Sequence, residues 1–231
     1  MVYGLIISAG NQSRFESAVP KALMKYGNKT LLDENLHNMK QFCDEVFVVC
    51  SVTNHDWFTA YPLIIISSGK GCGDAVLQAL QTLNIRDGDT VFIQWGDCLH
   101  TPIIYEKVLQ SYCGRCVIPC IEEHTPYVQV LPESDNTVQI LFSKYGEKTS
   151  HGYHDLSLFY GNAKSILTHL ENFARNILVD GKYIHKHGNE LQFLDVFNET
   201  SLEANIIELI DYKTFSFNTL DEFKQLTIEN S

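Results

Sequence analysis

The chain predicts an α/β fold, a Rossmann-like and mostly parallel sheet flanked by helices, with a small β excursion in its middle. Two observations carry this. Short continuous apolar runs of strand length alternate with stretches of helical apolar spacing, the order that builds βαβ units. The first run, Tyr3-Gly4-Leu5-Ile6-Ile7-Ser8, passes directly into a loop with small residues, Ala9-Gly10. In open α/β sheets ligands sit beyond the carboxyl ends of the strands, so this loop marks the ligand edge.

The remaining elements follow in order. Leu31, Leu32, Leu36 and Met39 give residues 30–42 a helical face, and strands are expected at 46–50 and 63–66. Residues 75–80 read as helix and 90–95 as the fourth strand. Residues 116–121 read as a strand, 127–131 with 138–142 as a hairpin, and 156–160 as a return to the sheet. Helices are expected over 163–177 and 191–202, strands over 206–210 and 214–217, and a closing helix over 220–226. No repeat, linker or low-complexity tract divides the chain, which is expected to form a single domain over residues 1–231.

Composition bounds the function. The net charge of −11, from 17 Lys and Arg against 28 Asp and Glu, argues against a broad nucleic-acid or anionic-membrane surface. An acidic chain that binds an anionic ligand must concentrate its few cations locally. The apolar run Leu5-Ile6-Ile7 is too short for a secretory core and no apolar run approaches a membrane span, so a cytoplasmic location is expected. Seven cysteines read as reduced thiols. Cys113, Cys116, Cys120 and His124 lack a second ligand pair at zinc-site spacing and are read as core or surface residues. His185-Lys186-His187 is read as a polar loop.

Arg14 and Lys21 place two cations on the loop after the first strand, beside backbone that Ala9 and Gly10 leave open, as a polyphosphate requires. Taken alone, both could be solvated surface charges. The run Ser8-Ala9-Gly10-x-x-x-Arg14-Phe15 followed by Pro20-Lys21 resembles the signature loop of the nucleotidyltransferases that activate sugar phosphates and related small phosphates with an NTP. The departure is Gln12, where that family commonly has Gly. The resemblance implies a nucleotidyltransferase/GT-A-like sheet, nucleotide binding by Ser8, Ala9 and Gly10, and phosphate neutralisation by the catalytic pair Arg14 and Lys21.

Three later motifs extend it. Gly69-Lys70-Gly71-Cys72-Gly73 is a plain glycine-rich turn on its own. In the family it corresponds to a base-contacting segment, which places Gly71 and Cys72 against the base, with Cys replacing the frequent Thr or Ser. Trp95-Gly96-Asp97 ends the fourth strand, and Asp97 matches the family's carboxylate ligand for Mg²⁺, an ion that takes few protein oxygens together with phosphate and water. Asn218 stands where the family has its second metal ligand, and it also suits an N-cap. Lys144 corresponds either to an acceptor-phosphate Lys or to a surface charge, and Asp155 either lines the acceptor pocket or faces solvent.

The resemblance implies a Mg²⁺-dependent transfer from an NTP to a small phosphorylated acceptor, with pyrophosphate released. The compact chain is most similar to the short cytidylyltransferases. CTP is therefore the expected nucleotide and phosphoglutamine the leading acceptor, ahead of phosphocholine and sugar or polyol phosphates, in the synthesis of a capsule or other surface polymer. Neither nucleic acid nor membrane is an expected partner. Two other classes stay open: a GT-A glycosyltransferase, although Asp97-Cys98-Leu99 lacks the second Asp of its usual metal signature, and a nucleotide-binding protein without turnover.

Overall fold

The computed structural model describes residues 1–10, 15, 17–210, 212, 215–217 and 219–229. Arg14, Gln12 and Asn218 lie outside the described residues. The sheet strands are β1 (Val2–Ile7), β2 (Glu45–Ser51), β3 (Ile64–Ser67), β4 (Thr90–Trp95), β5 (Cys116–Glu123), β6 (Val128–Pro132), β7 (Val138–Phe142), β8 (Gly152–Asp155), β9 (Leu158–Asn162) and β10 (Ala204–Glu208). The helices are α1 (Leu31–Met39), α2 (Cys72–Thr82), α3 (Pro102–Gln110), α4 (Ala163–Ile177), α5 (Asp195–Glu199) and α6 (Leu220–Glu229).

The strands run in the order β7-β6-β8-β5-β9-β4-β1-β2-β3, and β10 pairs with β5. The centre, β4-β1-β2-β3, is parallel throughout, as the βαβ order predicts. Successive side chains of a strand point to opposite faces, and β1 shows it. Leu5 and Ile7 join a core with α2 and α4, whereas Ile6 joins a second core with α1 and α3. The helix α1 starts at a reciprocal cap: the Asp33 amide donates to the Thr30 hydroxyl at 3.0 Å and the Thr30 amide to the Asp33 carboxylate at 2.9 Å.

The β excursion is the β6–β7 hairpin. Where it meets the parallel half, the sheet forks. Residues 152–162 run antiparallel along β5, but the path breaks at Ser157, whose φ of 57° is left-handed. On one side of that break β9 pairs with β4, and on the other β8 pairs with β6. The Ser157 carbonyl accepts from the Trp95 amide at 3.0 Å, which fixes the fork against the carboxyl end of β4.

Three expectations need correction. The helix expected over 191–202 is only the short α5, because 190–193 instead packs as non-helical chain against the turn before α2. The strand expected over 214–217 pairs, among the described residues, at Phe215–Ser216 alone, with Cys98–Leu99. Helix α3 was not anticipated. All seven cysteines are unpaired, Cys116 and Cys120 are buried, and Cys113, Cys116, Cys120 and His124 form no ligand cluster among the described residues. Among the described residues no helix is long and apolar enough to cross a membrane.

His100, which follows the short strand Cys98–Leu99, is 1% exposed, and its Nδ1 lies 3.2 Å from the Tyr212 hydroxyl. Burial pushes its pKa down to about 4. The unfolded chain therefore takes up this proton first: the contribution to stability is full above the unfolded value near 6.5 and is lost as pH falls towards 4. Relative to a His100→Gln variant, the wild-type protein is expected to lose about 1.4 kcal/mol of stability per pH unit in that window. Urea denaturation at several pH values checks it, and parallel curves for the two proteins would refute it.

Candidate active site

Two adjoining cavities open at the carboxyl ends of β1 and β4. The first, about 170 Å³, lies between the end of β1, with Ser8 and Gly10, and the end of β4, with Trp95, Gly96 and Asp97. The second, about 260 Å³, lies in the sheet fork and is reached by Lys144, His154, Asp155 and Gln192. Cys72, Trp95 and Asp97 line both.

The ends of β1 and β4 are held very close. The Gly96 amide donates to the Ile7 carbonyl at 2.9 Å, and a Cβ at Gly96 would collide with the Ser8 hydroxyl. Asn54 supports the other side by donating to the Ser8 carbonyl at 2.9 Å. Ser8 Oγ is buried without a hydrogen-bond partner, and Ser8 lines the first cavity. Buried hydroxyls are rarely left so, which makes this one a candidate ligand contact. Ala9, by contrast, packs into the core.

Lys21 stands on a single 3₁₀ turn, Lys21–Leu23, after Pro20. Its ammonium donates to the Phe217 carbonyl at 2.9 Å and to Asp97 Oδ2 at 3.3 Å, and lies 5.5 and 5.4 Å from the ring centres of Phe15 and Phe217. Phe15 and Phe217 themselves pack with Leu31, Phe215 and Phe223. The loop after β1 and the segment before α6 are thus fastened together beside Asp97.

Asp97 sits in a turn that a buried polar network fixes from below. Asn35 and Gln94 both donate to the Cys98 carbonyl at 2.9 Å, Gln94 donates to Asn35 Oδ1 at 2.8 Å, and the Tyr105 hydroxyl donates to Gln94. The carboxylate itself remains one-third exposed and faces the cavities. One partly exposed hard oxygen group is a fitting anchor for Mg²⁺, which typically uses one or two carboxylates with substrate phosphates.

The glycine turn behaves differently from expectation. Gly71 has φ +113° and lines neither cavity: a Cβ there would strike the Leu191 carbonyl. The Gly73 amide donates to that carbonyl at 2.8 Å, so part of the free amino end of α2 is already satisfied. Cys72 does reach both cavities, where its thiol accepts from the Phe193 amide at 3.4 Å and burial raises its pKa. Gly71 and Gly73 therefore admit the 190–193 chain, and Cys72 alone of this turn lines the cavities.

In the second cavity Asp155 is buried, and burial raises its carboxyl pKa; Oδ1 accepts from the Ser157 amide at 2.8 Å. Lys144 is exposed at the rim, 4.5 Å from the Tyr145 ring centre. Gln192 and Trp95 complete the wall, and Trp95 packs edge-on against Phe193 at 5.8 Å. Gln192 carried no sequence signal. It reaches the site only because 190–193 crosses over the turn before α2. The segment His185-Lys186-His187, expected as a polar loop, instead buries His187.

The profile of the MobA-like NTP transferase domain matches residues 4–176. The bifunctional protein GlmU of Buchnera aphidicola subsp. Schizaphis graminum is 29% identical over 229 residues, which is 89% of this chain and 45% of that protein. GlmU of Wolbachia pipientis wMel is 27% identical over 158 residues, covering 64% and 36%. The chain thus spans less than half the length of these relatives. Among solved structures, HddC from Yersinia pseudotuberculosis complexed with GMP-PN superposes with a TM-score of 0.71 at 15% identity, covering all of both chains. The CTP:phosphocholine cytidylyltransferase LicC from Streptococcus pneumoniae gives 0.71 at 12% identity, covering 100% of this chain and 99% of its own.

Two glycine substitutions separate close packing from open loop. Gly96→Ala is expected to cost about 1–3 kcal/mol by overpacking against Ser8 and Ile7. Gly10→Ala, where a Cβ meets nothing within 4 Å, is expected to stay within about 0.5 kcal/mol of wild type. Chemical denaturation of both variants checks the pair, and equal stabilities would contradict the packing described at Gly96.

Proposed function

Because this chain belongs to the MobA-like NTP transferase domain family and is by that membership a nucleotidyltransferase, we propose that its two cavities hold the two substrates of one transfer: CTP in the first, a small phosphorylated acceptor in the second. The observation that carries the reading is the shared wall. Asp97 borders both cavities, and Lys21 lies 3.3 Å from it. A reaction at the α-phosphorus must occur at that boundary, with nucleotide on one side and acceptor on the other.

In the proposed reaction an acceptor phosphate oxygen attacks the α-phosphorus in line, a new P–O bond forms, and the bond from the α-phosphorus to the bridging oxygen breaks. Pyrophosphate leaves with that electron pair. Such a transfer needs positioning and charge stabilisation more than covalent help from the protein. Lys21 is assigned to the α-phosphate and the departing pyrophosphate, with Arg14 as its partner on the same loop by family resemblance. Ser8 Oγ and the Gly10 backbone orient the nucleotide, and Cys72 faces the base. Asp97, with Asn218 by the same resemblance, would hold Mg²⁺, which neutralises triphosphate charge when bound. The Lys21 ammonium, 3.3 Å from the Asp97 carboxylate, compensates part of that charge.

Lys144 at the rim and a buried, hydrogen-bonding Asp155 suit an acceptor with an anionic phosphate at one end and polar groups at the other. Phosphoglutamine is the leading candidate on this chemistry, in the synthesis of a capsule or other surface polymer. The base is argued from the walls and not from the fold, since the two structural neighbours carry different bases in their names. Small groups at Ser8, Gly10 and Cys72 bring a pyrimidine close to the backbone. The transfer unit is proposed to be a single domain, acting in the cytoplasm.

Lys21→Ala is expected to lower turnover by at least ~10²-fold, the usual cost of one lost charge contact in a transition state, while the circular dichroism spectrum is retained. Asp97→Ala is expected to abolish turnover, and added Mg²⁺ is not expected to restore it. Wild-type rates in either variant would take that residue out of the site.

Pyrophosphate release with each of the four NTPs, against phosphoglutamine, phosphocholine and several sugar 1-phosphates, reads the specificity. CTP is expected to exceed ATP and GTP in kcat/KM by orders of magnitude, with UTP the nearest competitor, because a wrong base leaves buried polar groups unpaired. A preference for UTP or a purine would overturn the cytidylyl assignment and leave the transfer reaction standing.

A further inference from the structure

Behind the second cavity lies a closed cluster that the transfer reaction does not use. His185 and His187 sit two residues apart on a tight turn, closed by reciprocal backbone hydrogen bonds of 3.1 and 3.0 Å between His185 and Gly188. Their rings are 5.3 Å apart and both face Asp195, which is fully buried. His187 Nδ1 lies 2.7 Å from Asp195 Oδ1, and His185 Nδ1 lies 3.2 Å from Asp195 Oδ2. The outer nitrogens also meet carboxylates: His187 Nε2 lies 3.2 Å from Glu147 and His185 Nε2 lies 3.2 Å from Glu199.

The hydrogen count is the informative part. Four imidazole nitrogens face carboxylate oxygens, yet two neutral imidazoles supply only two N–H groups. If each Nε2 donates outward to Glu147 or Glu199, both Nδ1 lone pairs point at the oxygens of Asp195. Two further details favour that tautomer at His185, whereas at His187 the 2.7 Å contact to Asp195 is a hydrogen bond whose proton a bound ion would displace. The His187 amide points at His185 Nδ1 at 3.5 Å, which treats this nitrogen as an acceptor. Asp195 Oδ2 is buried without a hydrogen bond, since its 3.2 Å approach to His185 brings charges near without aiming a hydrogen at it. Two imidazoles and a carboxylate brought within 4.8 Å of one another, largely out of water, are a cation's donor set. Outer carboxylates that orient the far nitrogen of each ligating His are the usual support for such a set.

We propose that His185, His187 and Asp195 bind a divalent transition-metal ion, of which Zn²⁺ is the representative, with Glu147 and Glu199 orienting the two imidazoles. The three donor atoms lie within 4.8 Å of one another, so small side-chain adjustments suffice to surround one ion. The site is structural in kind. His187 and Asp195 are buried, and none of the three ligands lines either cavity that Asp97 borders. Glu147 closes the turn that carries Lys144, and its other oxygen accepts from the Phe142 amide at 2.6 Å. Asp195 follows Leu194 on the segment that carries Gln192. An ion here would tie the two walls of the second cavity together.

The test uses the full chain, stripped with a chelator and then titrated with Zn²⁺ alone by calorimetry and with Co²⁺ by visible absorption. One equivalent is expected to bind and to raise Tm, and the Co²⁺ form is expected to show the intense bands of low-coordinate nitrogen and oxygen ligation. Asp195→Asn and His185→Gln, both close in volume, are expected to abolish uptake, and Glu147→Gln to weaken it by about 10–100-fold. Asp97→Ala is expected to keep it, which separates this ion from that of the transfer centre. No uptake by the wild-type chain, or uptake that survives both ligand substitutions, overturns the proposal. Should a variant fail to fold, X-ray absorption of the wild-type Zn²⁺ complex decides, because a shell without two imidazole nitrogens refutes it.

Discussion

A single ammonium group organises the site. Lys21 gathers the loop after β1, the turn at the end of β4 and the segment before α6 around one positive charge. Those segments are far apart in sequence, and the only strand pairing among their described residues is the short one of Phe215–Ser216 with Cys98–Leu99. Without a cation between them, the Asp97 carboxylate would face the Phe217 carbonyl in a partly desolvated space, an arrangement that repels. The aromatic cluster of Phe15, Phe215, Phe217 and Phe223 supplies the apolar adhesion, and the lysine supplies the orientation.

The rest of the architecture delivers partners to that point with little freedom. Parallel strands β1 and β4 run side by side, so their carboxyl ends arrive together, and the absence of a side chain at Gly96 lets them nearly touch. Beneath Asp97, a fully paired network of Asn35, Gln94 and Tyr105 replaces what would otherwise be apolar core. Buried polar networks of this kind are valuable only when every member is satisfied, and then they fix one geometry. The fork at Ser157 adds the second cavity by letting an antiparallel layer peel away from the parallel one.

The sequence made local things legible. The run ending at Ser8, the Gly96-Asp97 pair and the Pro20-Lys21 pair are contiguous patterns whose meaning depends on a strand and the loop that follows it, and the structure sets Ser8, Lys21 and Asp97 round one cavity. What stayed hidden depends on chain crossing chain. Gly71 looked like a residue that clears space for a ligand, but the space is filled by the backbone of Leu191. The stretch 191–202 has apolar residues at helical intervals, yet its first residues are spent on contacts to that turn and only Asp195–Glu199 coils. His185 and His187 read as polar loop because their three carboxylate partners lie between 8 and 40 positions away in the chain. Asp155 could be given either side of its strand, and only the fork decides that it faces inward.

The shared wall between the two cavities has a thermodynamic consequence. Cys72, Trp95 and Asp97 each belong to both compartments, so whatever fills one compartment alters the surface presented to the other. Occupancy of the two is then linked, and linkage is reciprocal: if the first ligand changes the affinity for the second by some factor, the second changes the affinity for the first by the same factor. Residues confined to one compartment, such as Ser8 or Gln192, can alter one affinity with little effect on the other. The three shared residues cannot. Their substitutions perturb the coupling term itself, so pairs of changes drawn from opposite compartments through this wall should depart from additivity.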